Sequence, residues 1–114
     1  VIIHHVAFEW FPTVTDADVA DFDTALGALP ALVPELISYT HGVALRLRAG
    51  TSDYGVVALV DSASALHRYL DHPTHAAITA EFAPRMFKTR TAVQLHCAPE
   101  LASLLAPNRA RDAT

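Results

Sequence analysis

Val56-Val-Ala-Leu-Val60 is a strand with no polar side. It belongs to a run from Tyr54 to Val60 that is apolar at almost every position and rich in β-branched residues. A sheet covered on one face alternates apolar and polar residues, so this strand demands cover on both faces. The first strand, Val1 to Phe11, makes the same demand: Val6, Phe8 and Trp10 alternate with Ile3, His5 and Ala7. A chain of 114 residues forms one domain around one core. Its helices supply cover for one face, and no other element is large enough for the second. The sequence therefore predicts a homodimer with two sheets packed face to face about a two-fold axis.

The remaining elements follow in order. Thr15 is an N-cap, Asp16 and Asp18 suit the positive end of a helix dipole, and Val19, Phe22, Leu26 and Leu29 recur at helical spacing. That helix is expected to reach about Leu32, with Pro30 ending or kinking it and Pro34 stopping it. Leu36 to Gly42 reads as a second strand, bulged or bent at Gly42 and continuing to Arg48, where Leu45 and Leu47 alternate with two arginines. Ala49 to Asp53 is a turn before the third strand. Asp61 to Ser64 caps the next helix, and Thr91 to Cys97 is the last strand. The order β-α-β-β-α-β gives an α+β layer, an antiparallel sheet with helices on one face. Residues 1–97 make the domain. Residues 98–114 make a tail with a short helical turn at Leu101 to Leu105 and an end that is partly disordered or packs on the partner.

Composition narrows the partners. Hydrophobic residues make up 52% and charged residues 18%, too apolar for a disordered chain. The net charge of -4 and the lack of a basic stripe argue against nucleic acid. No apolar run approaches the roughly 20 residues of a membrane span, and Val1-Ile-Ile-His-His lacks the regions of a signal peptide. A single cysteine, Cys97, forms no internal disulfide and fits a reducing, cytoplasmic setting.

Tyr69-Leu-Asp-His-Pro-Thr-His75 concentrates a phenol and two imidazoles in seven residues. Pro73 suits the first turn of a helix and not its interior, so one helix ends near Asp71 and another starts near Pro73. That second helix continues through Ile78, Phe82 and Met86, with Pro84 kinking or shortening its last turn.

The chain resembles the stress-responsive dimeric α/β-barrel family, Dabb, from about Ile3 to Leu95. The matching pieces are His4-His-Val-Ala-Phe8, Leu29-Pro-Ala-Leu-Val-Pro34, Tyr54 and above all Tyr69 to His75. The resemblance implies a ferredoxin-like unit that dimerises into a barrel. One branch, of the olivetolic acid cyclase type, closes polyketide chains by an aldol reaction without a cofactor. Its pocket positions fall here on His5, Tyr69 and His75. Where the cyclase carries a further histidine on strand three, this chain has Val56.

These residues support several readings. In a catalytic one, His5 faces the helices on the opposite side of strand one from Val6, Phe8 and Trp10, and His75 removes a proton beside a carbonyl. Tyr69 then donates to the developing enolate oxygen. In a binding reading, His72, Val56, Ile78 and Phe82 line a pocket for a small apolar or carbonyl-containing ligand without turnover. In a structural reading, His72 caps a helix and His75 satisfies a nearby carbonyl. His72 and His75 have a spacing that zinc sites use, but no third ligand is evident, so neither metal nor cofactor is expected. His4 is placed at the subunit interface. An open cavity favours the enzyme; one filled by Phe22, Ile78, Phe82 and Met86 favours the binding or structural module.

Overall fold

The computed structural model describes residues 1–105. The chain runs β1 (Ile2–Trp10), α1 (Asp16–Gly27), α2 (Leu29–Leu32), β2 (Ser38–Val43), β3 (Tyr54–Val60), α3 (Ala63–Asp71), α4 (Pro73–Met86), β4 (Phe87–His96) and α5 (Pro99–Leu105). All strand pairs are antiparallel and the sheet order is β2-β3-β1-β4, the ferredoxin-like α+β arrangement. The polar end predicted beyond Leu105 lies outside the described residues.

Local chemistry sets the helix ends. Thr15 and Asp18 form a reciprocal capping box at the start of α1. The Ser62 hydroxyl accepts from the Ala65 N–H to start α3. Pro73 opens α4, and Pro84 is accommodated within it. The helix predicted to reach Leu32 is two pieces, because α1 ends at Gly27 and Pro30 sits in the separate turn α2. The predicted bulge at Gly42 is absent: His41, Gly42 and Val43 pair in regular register with Val56, Gly55 and Tyr54. Strand β2 stops at Val43 rather than Arg48. Pairing across the hairpin extends only to Ala44, whose N–H donates to the Asp53 carbonyl at 2.9 Å, and Arg46 then takes a positive φ of 52° that breaks the extended run.

The two faces of the sheet are occupied opposite to the expectation. Helices cover the face of His4, Val6, Phe8 and Trp10, where Phe8 and Trp10 pack with Phe22 and Phe87 at ring distances of 4.7 to 5.9 Å. Phe22, Leu26, Ile78, Phe82 and Met86 close this layer from the helices. The face of Ile3, His5 and Ala7 is the outer one. Cross-strand pairing places Val57 and Val93 beside His5, and Leu59 and Leu95 beside Ile3. Leu59 is buried, but Val93 and Leu95 remain 44% and 54% exposed. Among the described residues no helix is long and apolar enough to cross a membrane.

Candidate functional site

One rung of the sheet builds the floor of the site. Gln94 pairs with His4, His4 with Ala58, and Ala58 with Tyr39, so these four residues cross all four strands on the helix-facing side. The Gln94 amide nitrogen donates to His4 Nδ1 at 2.8 Å. With Nδ1 accepting, the neutral ring carries its proton on Nε2. That Nε2 is buried without a partner, and so is the Tyr39 hydroxyl. Buried polar atoms in folded proteins are nearly always bonded, so two orphans on one rung call for an explanation.

The roof comes from the Tyr69-to-His75 segment. Tyr69, on α3, is the hub: its ring meets His75 at 4.9 Å, Tyr39 at 6.2 Å and His4 at 6.3 Å, each edge-on. His75 enters from the first turns of α4, half-buried. Between floor and roof is a cavity that also touches Val6, Phe8, Val56 and Ile78. The space open to a water centre is about 20 Å³. That is little more than one water requires. His75, Thr79 and Arg90 are shared with a shallow surface groove of about 400 Å³ outside it.

Burial and the Arg90 charge set the protonation states. Burial lowers the His4 pKa from 6.5 to about 4, with Arg90 and His75 adding to the effect. Burial and Arg90 also lower His75, against opposing contributions from the Leu70 carbonyl and Asp71. Both imidazoles are therefore neutral at pH 7. Burial raises the Tyr39 phenol and the Tyr69 hydroxyl adds to that; burial also raises Tyr69, where the Tyr39 hydroxyl and the Arg90 charge act the other way, the two phenols interacting without reaching hydrogen-bond geometry. The site thus presents two neutral imidazoles and two protonated phenols: a base, several donors and no fixed negative charge.

The sequence-predicted residues separate clearly. Tyr69, His75, Val56 and Ile78 meet at the cavity. His5 does not: it lies exposed on the outer face, and the histidine that joins Tyr69 and His75 is His4, one position earlier. A one-residue slip along a strand reverses the face, which also moves His4 from the expected interface to the interior. His72 turns its Nδ1 to the Thr74 N–H at 3.2 Å and caps α4. Phe82 packs on Phe22 at 5.3 Å outside the cavity lining. Tyr39, Gln94 and Arg90 were not anticipated. The signal for them was strand pairing, since all three share the face of His4. Among the described residues no group of three or more His, Cys, Asp or Glu is placed to hold a metal ion. Cys97 is a buried free thiol whose Sγ–H lies 3.5 Å from the Ala98 carbonyl.

A second polar cluster lies on the same sheet face. Tyr54 donates to Asp23 Oδ1 at 2.5 Å. His41 Nδ1 lies 3.0 Å from the same oxygen and 2.8 Å from the Tyr54 hydroxyl. A carboxylate accepts only, so the His41 proton is on Nδ1 and every polar group in this contact is satisfied. Burial raises the Tyr54 phenol, and its bond to Asp23 adds to that.

The family model described as "Stress responsive A/B Barrel Domain" (Dabb) matches residues 2–97. No curated protein matches. A dimeric ferredoxin-like protein of unknown function from Thermobifida fusca is 44% identical, over 84% of this chain and 90% of that one, with a TM-score of 0.78. A dimeric protein of unknown function from Bacteroides fragilis is 22% identical, over 84% and 95%, with a TM-score of 0.72. A hydroxynitrile lyase from Passiflora edulis is 15% identical, over 86% and 94%, with a TM-score of 0.74. The last two likenesses establish the fold alone.

Proposed function

The chain belongs to the stress-responsive A/B barrel (Dabb) family, and from that premise we propose that it is a homodimer whose cavity binds a small ligand bearing a carbonyl or hydroxyl oxygen. One observation carries the ligand reading: His4 Nε2 and Tyr39 Oη, both buried and both unbonded, belong to residues that line one cavity. An oxygen seated there meets donors that the fold leaves without partners, while Val6, Phe8, Val56 and Ile78 favour an apolar neighbour. NMR titration with small ketones and alcohols tests this. Shifts at His4, Tyr39 and Tyr69 in the native chain, lost in Tyr39→Phe, support it; their absence with every probe overturns it.

The dimer rests on the bare outer face and on relatives described as dimeric. Val57→Glu sets a charge beside His5 on that face. Sedimentation should show a dimer for the native chain and a monomer for the variant; a native monomer at micromolar concentration contradicts the proposal.

A second reading is favoured by the 4.9 Å contact between Tyr69 and His75 together with the lowered His75 pKa. A neutral imidazole beside a phenol is suited to cofactor-free enolisation, and hence to a lyase or an aldol-type cyclase acting on a polyketide-like compound. His4, which lines the cavity in place of His5, would orient the substrate. Deuterium exchange at the carbon next to the carbonyl of a bound ketone measures this directly. His75→Ala should abolish exchange with little change in melting temperature; exchange at the uncatalysed rate in the native protein would rule enolisation out.

A further inference from the structure

Building on the ligand-binding reading above, we propose that the ligand is a short oxo or hydroxy acid: its carboxylate pairs with Arg90 in the groove, and its oxo or hydroxyl oxygen enters the cavity toward His4 and Tyr39. Size gives the first argument. A cavity open to a water centre over only about 20 Å³ admits an oxygen and little else, so the rest of any ligand lies across the rim. His75, Thr79 and Arg90 form that rim, because they border both the cavity and the groove of about 400 Å³.

Charge gives the second. The chain carries a net -4, yet among the described residues no Asp or Glu lines the cavity or the groove. Arg46, Arg68 and Arg85 are held by Asp53, Glu35 and Asp18. Among the described residues Arg90 has no carboxylate within 4.0 Å, so its guanidinium stands at the mouth with its donors free for a planar anion. The same charge reaches His4 and His75, whose protonation it opposes. The neutral side chains behind it leave the anion without a competitor.

A matched pair of probes separates the two layers of this reading. 3-Oxobutanoate and 3-oxobutanamide have the same shape and differ in charge. Calorimetric titration of the full chain should show the acid binding about tenfold more tightly than the amide. Arg90→Gln, at an exposed position, should weaken the acid far more than the amide, so that the acid's tenfold advantage is lost. Equal affinity on the native chain, or a preference that survives Arg90→Gln, overturns the assignment of the carboxylate while the cavity still binds a carbonyl. If neither probe binds the native chain or Arg90→Gln, this inference and the ligand-binding reading fall together.

Discussion

The helix-facing side of the sheet carries two clusters of tyrosine and histidine, one holding the Asp23 carboxylate and the other no acid, and they differ in how their polar groups are met. Around Tyr54, each polar group has a partner: hydroxyl to carboxylate, imidazole to both. Around Tyr69, His4 Nε2 and the Tyr39 hydroxyl have none. The residue types are nearly the same and both clusters are packed between sheet and helix. The first behaves as a fastener between α1, β2 and β3, whereas the second bears a cost that packing alone does not explain. What the contrast teaches is that composition does not mark a site; unmet hydrogen-bonding capacity does.

The strongest way to break this contrast is with acid. Unfolded, a histidine begins to take a proton near pH 6.5; folded, His4 resists until about pH 4. Proton uptake over that window therefore favours the unfolded chain. The stability contributed by neutral His4 is full above pH 6.5 and is lost as pH falls toward 4, up to about 3 kcal/mol. Urea unfolding at pH 7 and pH 4.5 should show the loss, and His4→Gln should flatten it. An unchanged acid slope in His4→Gln would mean that the open cluster does not hold its histidine neutral.

Tyr54→Phe comes next in size. It removes a buried hydroxyl bonded to both Asp23 and His41 and should cost about 1–2 kcal/mol in chemical denaturation, with no change in ligand titrations at the other cluster. Tyr39→Phe sharpens the comparison at the smallest scale. Its hydroxyl interacts with that of Tyr69 without reaching hydrogen-bond geometry, so stability should change by less than about 0.5 kcal/mol, while binding of a carbonyl probe weakens. Equal destabilisation by the two phenylalanine variants would erase the distinction.

Much of the architecture was legible. Four strands, the helix break at Pro73 and the capping histidine follow from proline geometry and periodicity. The facing of β1 was legible but misread. Glu9 shares the face of Ile3, His5 and Ala7, whereas Val6, Phe8 and Trp10 share a face without charge, so alternation marks the His4 side as the inner one. Two adjacent histidines and the apolar Ile3 and Ala7 masked that single charged residue. Tyr39 and Arg90 were hidden differently: they reach the site through the pairings Tyr39–Ala58 and Arg90–Phe8, which depend on register. Asp23 with His41 and Tyr54 needs contact between α1 and the β2–β3 hairpin, 18 and 31 positions apart along the chain. Residues 44–48 show the reverse limit. Alternation suggested a strand, but hairpin pairing ends at Ala44 with Asp53, and the positive φ at Arg46 turns the chain out of extended geometry.

The rung of Gln94, His4, Ala58 and Tyr39 acts as a fixed ruler. Adjacent strands lie about 4.8 Å apart, so the backbone positions of His4 and Tyr39 are separated by two such steps, about 10 Å, whatever the side chains above them do. Diversification of this scaffold toward other small molecules would then fall to α3, α4 and the rim, which can be rewritten without disturbing the ladder beneath.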